Sequence, residues 1–103
     1  MLIVFTTCST KKEAEELAER LVNLRLAGCV QILPQMTSVY FWEGKTQKDE
    51  EHLLLIKTLE ENYGDIEKFI LENHSYEVPE IVAIKAENIS DGYLRWLTEN
   101  TKP

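Results

Sequence analysis

The chain has 103 residues, of which 44% are hydrophobic and 28% charged, and its formal net charge is -7. That is the length of one domain, enough to bury a core without metal or disulfide staples, and the composition excludes a disordered chain. The acidic balance repels phosphate backbones and anionic bilayers, which argues against nucleic acid and membranes as partners.

No apolar run approaches the roughly 20 residues of a membrane span. Met1 to Thr7 carries no basic n-region, so no signal peptide is read and the cytoplasm is the expected compartment. In that compartment the two cysteines, Cys8 and Cys29, are expected to be reduced thiols.

Leu2 to Phe5 is a short apolar run rich in β-branched residues, expected as a strand buried on both faces. Thr10 with Glu13 three residues on forms a capping-box pattern and starts a helix. Ala14, Leu17, Ala18, Leu21 and Val22 recur at helical spacing along it, and Gly28 is the expected stop. Cys29 to Leu33 is a strand, with a bend or bulge at Pro34. Ser38 to Trp42 continues the extended chain, and Glu43-Gly44-Lys45 turns it back. The return strand runs from His52 to Lys57. Thr58 with Glu61 repeats the capping-box pattern, for a helix reaching about Asn73. A loop from His74 to Glu80 leads into a strand over Ile81 to Ala86, and Ser90 caps a short last helix.

The order β-α-β-β-α-β-α points to an α+β fold, a ferredoxin-like βαββαβ sandwich in a single domain over residues 1–103, with a C-terminal helix added. The expected strand order is 4-1-3-2. The first and fourth strands span about six residues each, roughly 20 Å, whereas the arms Cys29 to Trp42 and Gln47 to Lys57 are much longer. An extended β2–β3 hairpin must therefore overhang the sheet, carrying Tyr40, Phe41 and Trp42. Such an exposed aromatic edge is resolved most simply by strand pairing between copies of the chain.

That topology brings Cys8, Glu43, His74, Tyr76, Glu77 and Glu80 to one end of the sheet and leaves Cys29 at the other, too far for an intrachain disulfide. Cys8 precedes the first helix, where the dipole favours thiolate, a ligand for soft metals; the plainer reading is a small residue in a tight turn. His74 follows the second helix, where imidazole serves either as a metal ligand or as a structural cap. Cys29 reads as an apolar filler of a core strand. His52, beside Glu50 and Glu51, is expected on a solvated face or paired across a subunit boundary. The carboxylate doublets Glu15-Glu16, Glu50-Glu51 and Glu60-Glu61 point their members in different directions and make no acid–base dyad. No nucleophile arrangement and no glycine-rich phosphate cradle is present, so no self-contained catalytic centre is expected.

Taken together, Thr6-Thr7, Leu26 to Val30, Ser38 to Gly44, Ile56-Lys57-Thr58, His74 to Ile81 and Tyr93 to Leu97 resemble the CutA family, the divalent-cation tolerance proteins, across essentially the whole chain. The resemblance implies a homotrimer, similar in architecture to the PII signalling proteins, associated with copper and other divalent cations and with no obligatory cofactor. It implies Cys29 and His74 as the family's cysteine and histidine, and metal ligands among His74, Cys29 and Cys8. It also implies clefts between subunits, for which Tyr40, Trp42, Glu43, Tyr76, Glu80 and Trp96 are the candidate lining. The chain departs from the family pattern at Gly28, where alanine is usual, at Ser75, where proline is usual, and at Asn73 and Thr6, where some relatives carry histidine and cysteine.

Two functions follow: a trimeric metal-binding protein of metal tolerance, or a PII-like scaffold or signalling trimer taking a small molecule or protein partner between subunits. An acylphosphatase-type enzyme would need an arginine in the loop after the first strand, and Thr6 to Lys12 has none. A copper chaperone with two cysteines in M-x-C-x-x-C spacing is excluded by the positions of Cys8 and Cys29.

Overall fold

A computed structural model describes residues 1–102. It orders β1 (Leu2–Cys8), α1 (Lys11–Asn23), β2 (Cys29–Trp42), β3 (Lys45–Thr58), a 3-10 turn (Glu60–Asn62), α2 (Tyr63–Asn73), β4 (Val82–Lys85) and α3 (Asp91–Glu99). The four strands form one antiparallel sheet in the order β2-β3-β1-β4. This is the expected α+β sandwich and the expected strand order. None of the helices described is long and apolar enough to cross a membrane.

Thr10 caps α1: its Oγ1 accepts the Glu13 N–H at 3.1 Å. Only half of the capping box forms, because the Glu13 carboxylate turns away and accepts the Ser75 N–H at 2.9 Å. Thr10→Ala removes the cap acceptor and is expected to lower stability by about 1 kcal/mol, read as a shift of the urea midpoint without a change of slope.

The helix stops before Gly28, the expected stop. Leu26 N–H donates to Leu21 O and Arg25 N–H to Val22 O, the paired bonds of a Schellman turn, and Arg25 takes the left-handed position at φ 59°. The buried pair Leu21 and Leu26 supplies the apolar contact that closes such a turn. Gly28 answers a different need: a Cβ there would meet Leu97 Cδ1 at 2.6 Å, so its missing side chain admits α3. The second capping box does not form. Thr58 ends β3 and donates its hydroxyl to Leu26 O at 2.6 Å, while α2 starts without a side-chain cap. The third cap is as expected, with Ser90 Oγ accepting the Tyr93 N–H.

The hairpin bulges between Leu33 and Met36, at Pro34, where Gln35 takes a left-handed φ of 47°. It closes through Glu43 and Gly44, both at positive φ, the signature of a tight two-residue hairpin turn. From Lys45 to Glu51, β3 pairs with β2 alone, so the hairpin projects roughly 20 Å past β1.

Strand alternation sorts the sheet into two faces. Val4, Leu54 and Ile56 face α1 and α2 and close the core with Ala14, Leu17, Leu21, Ile66 and Ile70. The opposite face carries Ile3, Phe5, Leu33, Leu53, Leu55, Val82 and Ile84, register partners of one another, and Leu33, Val82 and Ile84 stay about half exposed on it. Ile3 and Phe5 are only half-buried there, whereas β1 is expected to be buried on both faces.

Candidate functional site

Past the end of the β4 ladder, Thr6, Thr7 and Cys8 prolong β1 and are all buried. The loop after α2 folds over them. His74 caps the C-terminus of α2 with its backbone N–H on Ile70 O, and its side chain is fully buried. Its Nδ1 accepts the Tyr76 N–H at 3.0 Å, so Nε2 carries the ring hydrogen and donates it to Thr7 O at 2.6 Å. Cys8 Sγ lies 3.8 Å from Nε2, and Glu13 Oε2 lies 3.9 Å from Nδ1. One donor atom from each of Cys8, Glu13 and His74 falls within 4.8 Å of the others.

The expectation for the Cys8 thiol is reversed. Burial, with the negative charges of Glu13 and Glu51 added, pushes it up to about 12, outweighing the helix terminus that sequence position suggests. A buried thiol held protonated beside an imidazole already committed to a carbonyl is no nucleophilic dyad. As a metal site the set is chemically coherent: a soft sulfur, an imidazole nitrogen and a carboxylate are the donors that copper and zinc take. The residues would fit such an ion once the thiol proton leaves and the ring hydrogen moves from Nε2 to Nδ1, giving up the bonds to Thr7 O and from the Tyr76 N–H; the cation's own charge would drive the thiol's proton release. Cys29 is not part of this set. It pairs with Lys57 at the far end of β3, whereas Cys8 pairs with His52.

On the open side of the sheet the same loop helps to form a cleft of about 690 Å³. Ser38, Tyr40 and Trp42 line it from β2, Asp49 and Glu51 from β3, and Tyr76, Glu77 and Glu80 from the loop. Of the expected cleft residues, Tyr40, Trp42, Tyr76 and Glu80 are therefore together. Glu43 is not; it forms the hairpin turn. Trp96 is not either; it stacks on Tyr93 in α3, at a ring distance of 5.6 Å.

Glu51 is the residue that sequence reasoning missed. It is buried although it belongs to an acidic doublet, and Tyr76 Oη donates to its Oε2 at 2.7 Å. Burial alone would raise its pKa. Hydroxyls of Ser38, Tyr76 and Thr7, with His74 nearby, outweigh burial and hold it below the usual carboxylate value. Burial and the Glu51 carboxylate in turn raise the Tyr76 phenol. The one signal in the sequence is parity: Glu51 shares strand phase with Leu53 and Leu55, and Glu50 does not. His52 does not lie on the solvated face that is one of its two expected settings; its Nδ1 is buried, with no hydrogen-bond partner among the described residues.

The family model of the CutA1 divalent ion tolerance protein matches residues 2–100. Protein CutA, chloroplastic, of Arabidopsis thaliana is 40% identical over 98% of this chain, which spans about half, 56%, of that relative. The divalent-cation tolerance protein CutA of Thermus thermophilus is 40% identical over 96% of each chain. The crystal structure of CutA1 from Pyrococcus horikoshii superposes with a TM-score of 0.96 at 34% identity, covering 100% of both chains. The fold and its whole-length likeness to these proteins agree, and the chain belongs to the CutA1 divalent ion tolerance protein family.

Proposed function

We propose that the chain works as a homotrimer in metal tolerance and takes up copper or another divalent ion at Cys8, Glu13 and His74. The convergence of three unlike donors within 4.8 Å carries this reading. The names of relatives, such as the divalent-cation tolerance protein of Thermus thermophilus, point the same way. Assembly is supported by the half-exposed apolar face of the sheet and by the projecting hairpin. Strand pairing through that hairpin adds to the contact. Cys29 has no share in the ligand set of one chain.

Calorimetric titration with copper and with zinc tests this. The expected result is saturable binding with one ion per chain, weakened about tenfold or more by Cys8→Ser and by His74→Ala. Affinity no tighter than that of a carboxylate-rich control protein, or no loss in Cys8→Ser, would sink the proposal. Cys8→Ser keeps the shape of the site, so a folding failure of His74→Ala leaves the test intact.

The cleft favours a second reading, a PII-like signalling or scaffold trimer that takes a small molecule or protein partner between subunits, where this cleft on the open side of the sheet would form one wall. Its aromatic lining and its volume of about 690 Å³ are of the size and kind that bind small ligands.

A further inference from the structure

Resting on this second reading, we infer that the cleft takes a small organic cation, with ammonium groups on a short apolar chain, such as a linear polyamine. Three features of the cleft converge on that class. Every charged group that lines it is acidic: Asp49, Glu51, Glu77 and Glu80, with no lysine or arginine among its described lining residues. A nucleotide or other phosphate ligand would meet four carboxylates and no counter-charge. Three aromatic rings, Tyr40, Trp42 and Tyr76, stand among those carboxylates. A ring face attracts a cation, best of all when the ring is indole, and Trp42 is 44% exposed. The rings are also oriented: Tyr40 Oη donates to Asp49 and Tyr76 Oη to Glu51, so two phenols are tied to two of the carboxylates.

A bare metal ion fits this cleft poorly. An ion draws its ligands to about 2 Å, and the only donor group that converges among the described residues is the Cys8–Glu13–His74 set. The cleft carboxylates are spread along a wall instead. A flexible chain with spaced positive charges matches that spread, and its methylenes match the aromatic rings and Val78, which also lines the cleft. The two sites lie on opposite sides of the sheet. Cys8 faces the helices, whereas Asp49 and Glu51 share phase with the open face.

The test uses the full chain in a Trp96→Phe background, where Trp42 is the one remaining indole. Spermidine is titrated at about 150 mM salt, which screens diffuse attraction to an acidic surface. The expected result is a saturable change of Trp42 fluorescence, weakened about tenfold by Asp49→Asn and by Glu51→Gln. Glu15→Gln with Glu16→Gln, on the exposed face of α1, leaves it unchanged. A linear, unsaturable response overturns the inference, and so does equal weakening by the α1 variants. ATP is titrated in parallel. Saturation by ATP without saturation by spermidine overturns the cation assignment and leaves the small-molecule reading standing. Silence with both probes counts against the cation assignment and that reading together. Asp49 is exposed, so its variant remains informative if Glu51→Gln fails to fold.

Discussion

Replacing Val82 and Ile84 together by aspartate is expected to turn the proposed trimer into a species of one chain, sedimenting near 12.0 kDa. Both residues lie on β4, an edge strand of four residues, at 50% and 49% exposure. In the isolated chain, aspartate there stays in water and costs little. Their register partners Phe5 and Ile3, with Leu55, Leu53 and Leu33 beyond, make one continuous apolar face. A monomer rarely leaves such a patch open, and burial against neighbours is its ordinary resolution. A charge buried in that contact costs several kcal/mol per chain, and three-fold repetition multiplies the penalty.

Phe41→Lys is the companion variant. Phe41 is 72% exposed and, by strand alternation, faces away from the cleft lined by Tyr40 and Trp42. Velocity sedimentation of the wild type should give about three times the chain mass. A wild-type monomer would end the trimer proposal. A trimer that survives the β4 double variant but falls apart with Phe41→Lys would move the interface from the sheet face to the hairpin.

What the sequence made legible was pattern. The alternation of short apolar runs with amphipathic helices sufficed for strand order, and the unequal lengths of the strands sufficed for the overhanging hairpin. Pro34 correctly marked the bulge, because a residue without an N–H cannot keep a ladder regular. Cap chemistry was read less well, since a side chain with two possible partners chooses by tertiary contact. Glu13 leaves its own helix start for Ser75, sixty-two positions along the chain, and Thr58 bonds Leu26 instead of a helix terminus.

The site was harder still. Cys8 and His74 meet because β1 outruns β4 and the loop after α2 fills the gap, a fact of relative strand lengths. The state of the Cys8 thiol depends on burial and on two carboxylates from other elements, and these reverse the local expectation. Glu51 shows the same limit. A doublet of glutamates in a strand looks solvated until Tyr76, twenty-five residues on, covers one of the pair.

The Glu51–Tyr76 pair yields the second large effect, a coupling that fades in acid. At neutral pH Glu51 is ionised and accepts the Tyr76 hydroxyl, and a hydrogen bond to a charged acceptor contributes about 1.5–3 kcal/mol. Glu51→Gln, Tyr76→Phe and the double variant form a cycle that isolates that contribution, provided each is unfolded by urea at the same chain concentration, since the proposed assembly would make stability concentration-dependent. The sign with pH follows from the direction of the shift. The folded-state pKa of Glu51 lies below its ordinary value of 4.5, so the unfolded chain takes up the proton first. Its contribution to stability is therefore fully present above about pH 5 and is lost as pH falls through the depressed folded value. The coupling measured at pH 7 should shrink toward that of a neutral hydrogen bond, about 1 kcal/mol or less, near pH 3. Glu51→Gln alone should flatten the acid limb of the wild-type stability curve, because the variant has no proton to gain there. A coupling below about 0.5 kcal/mol at pH 7 would mean that the pair is held by its surroundings and not by its charge. A coupling constant down to pH 3 would mean that the group titrating in acid is not Glu51.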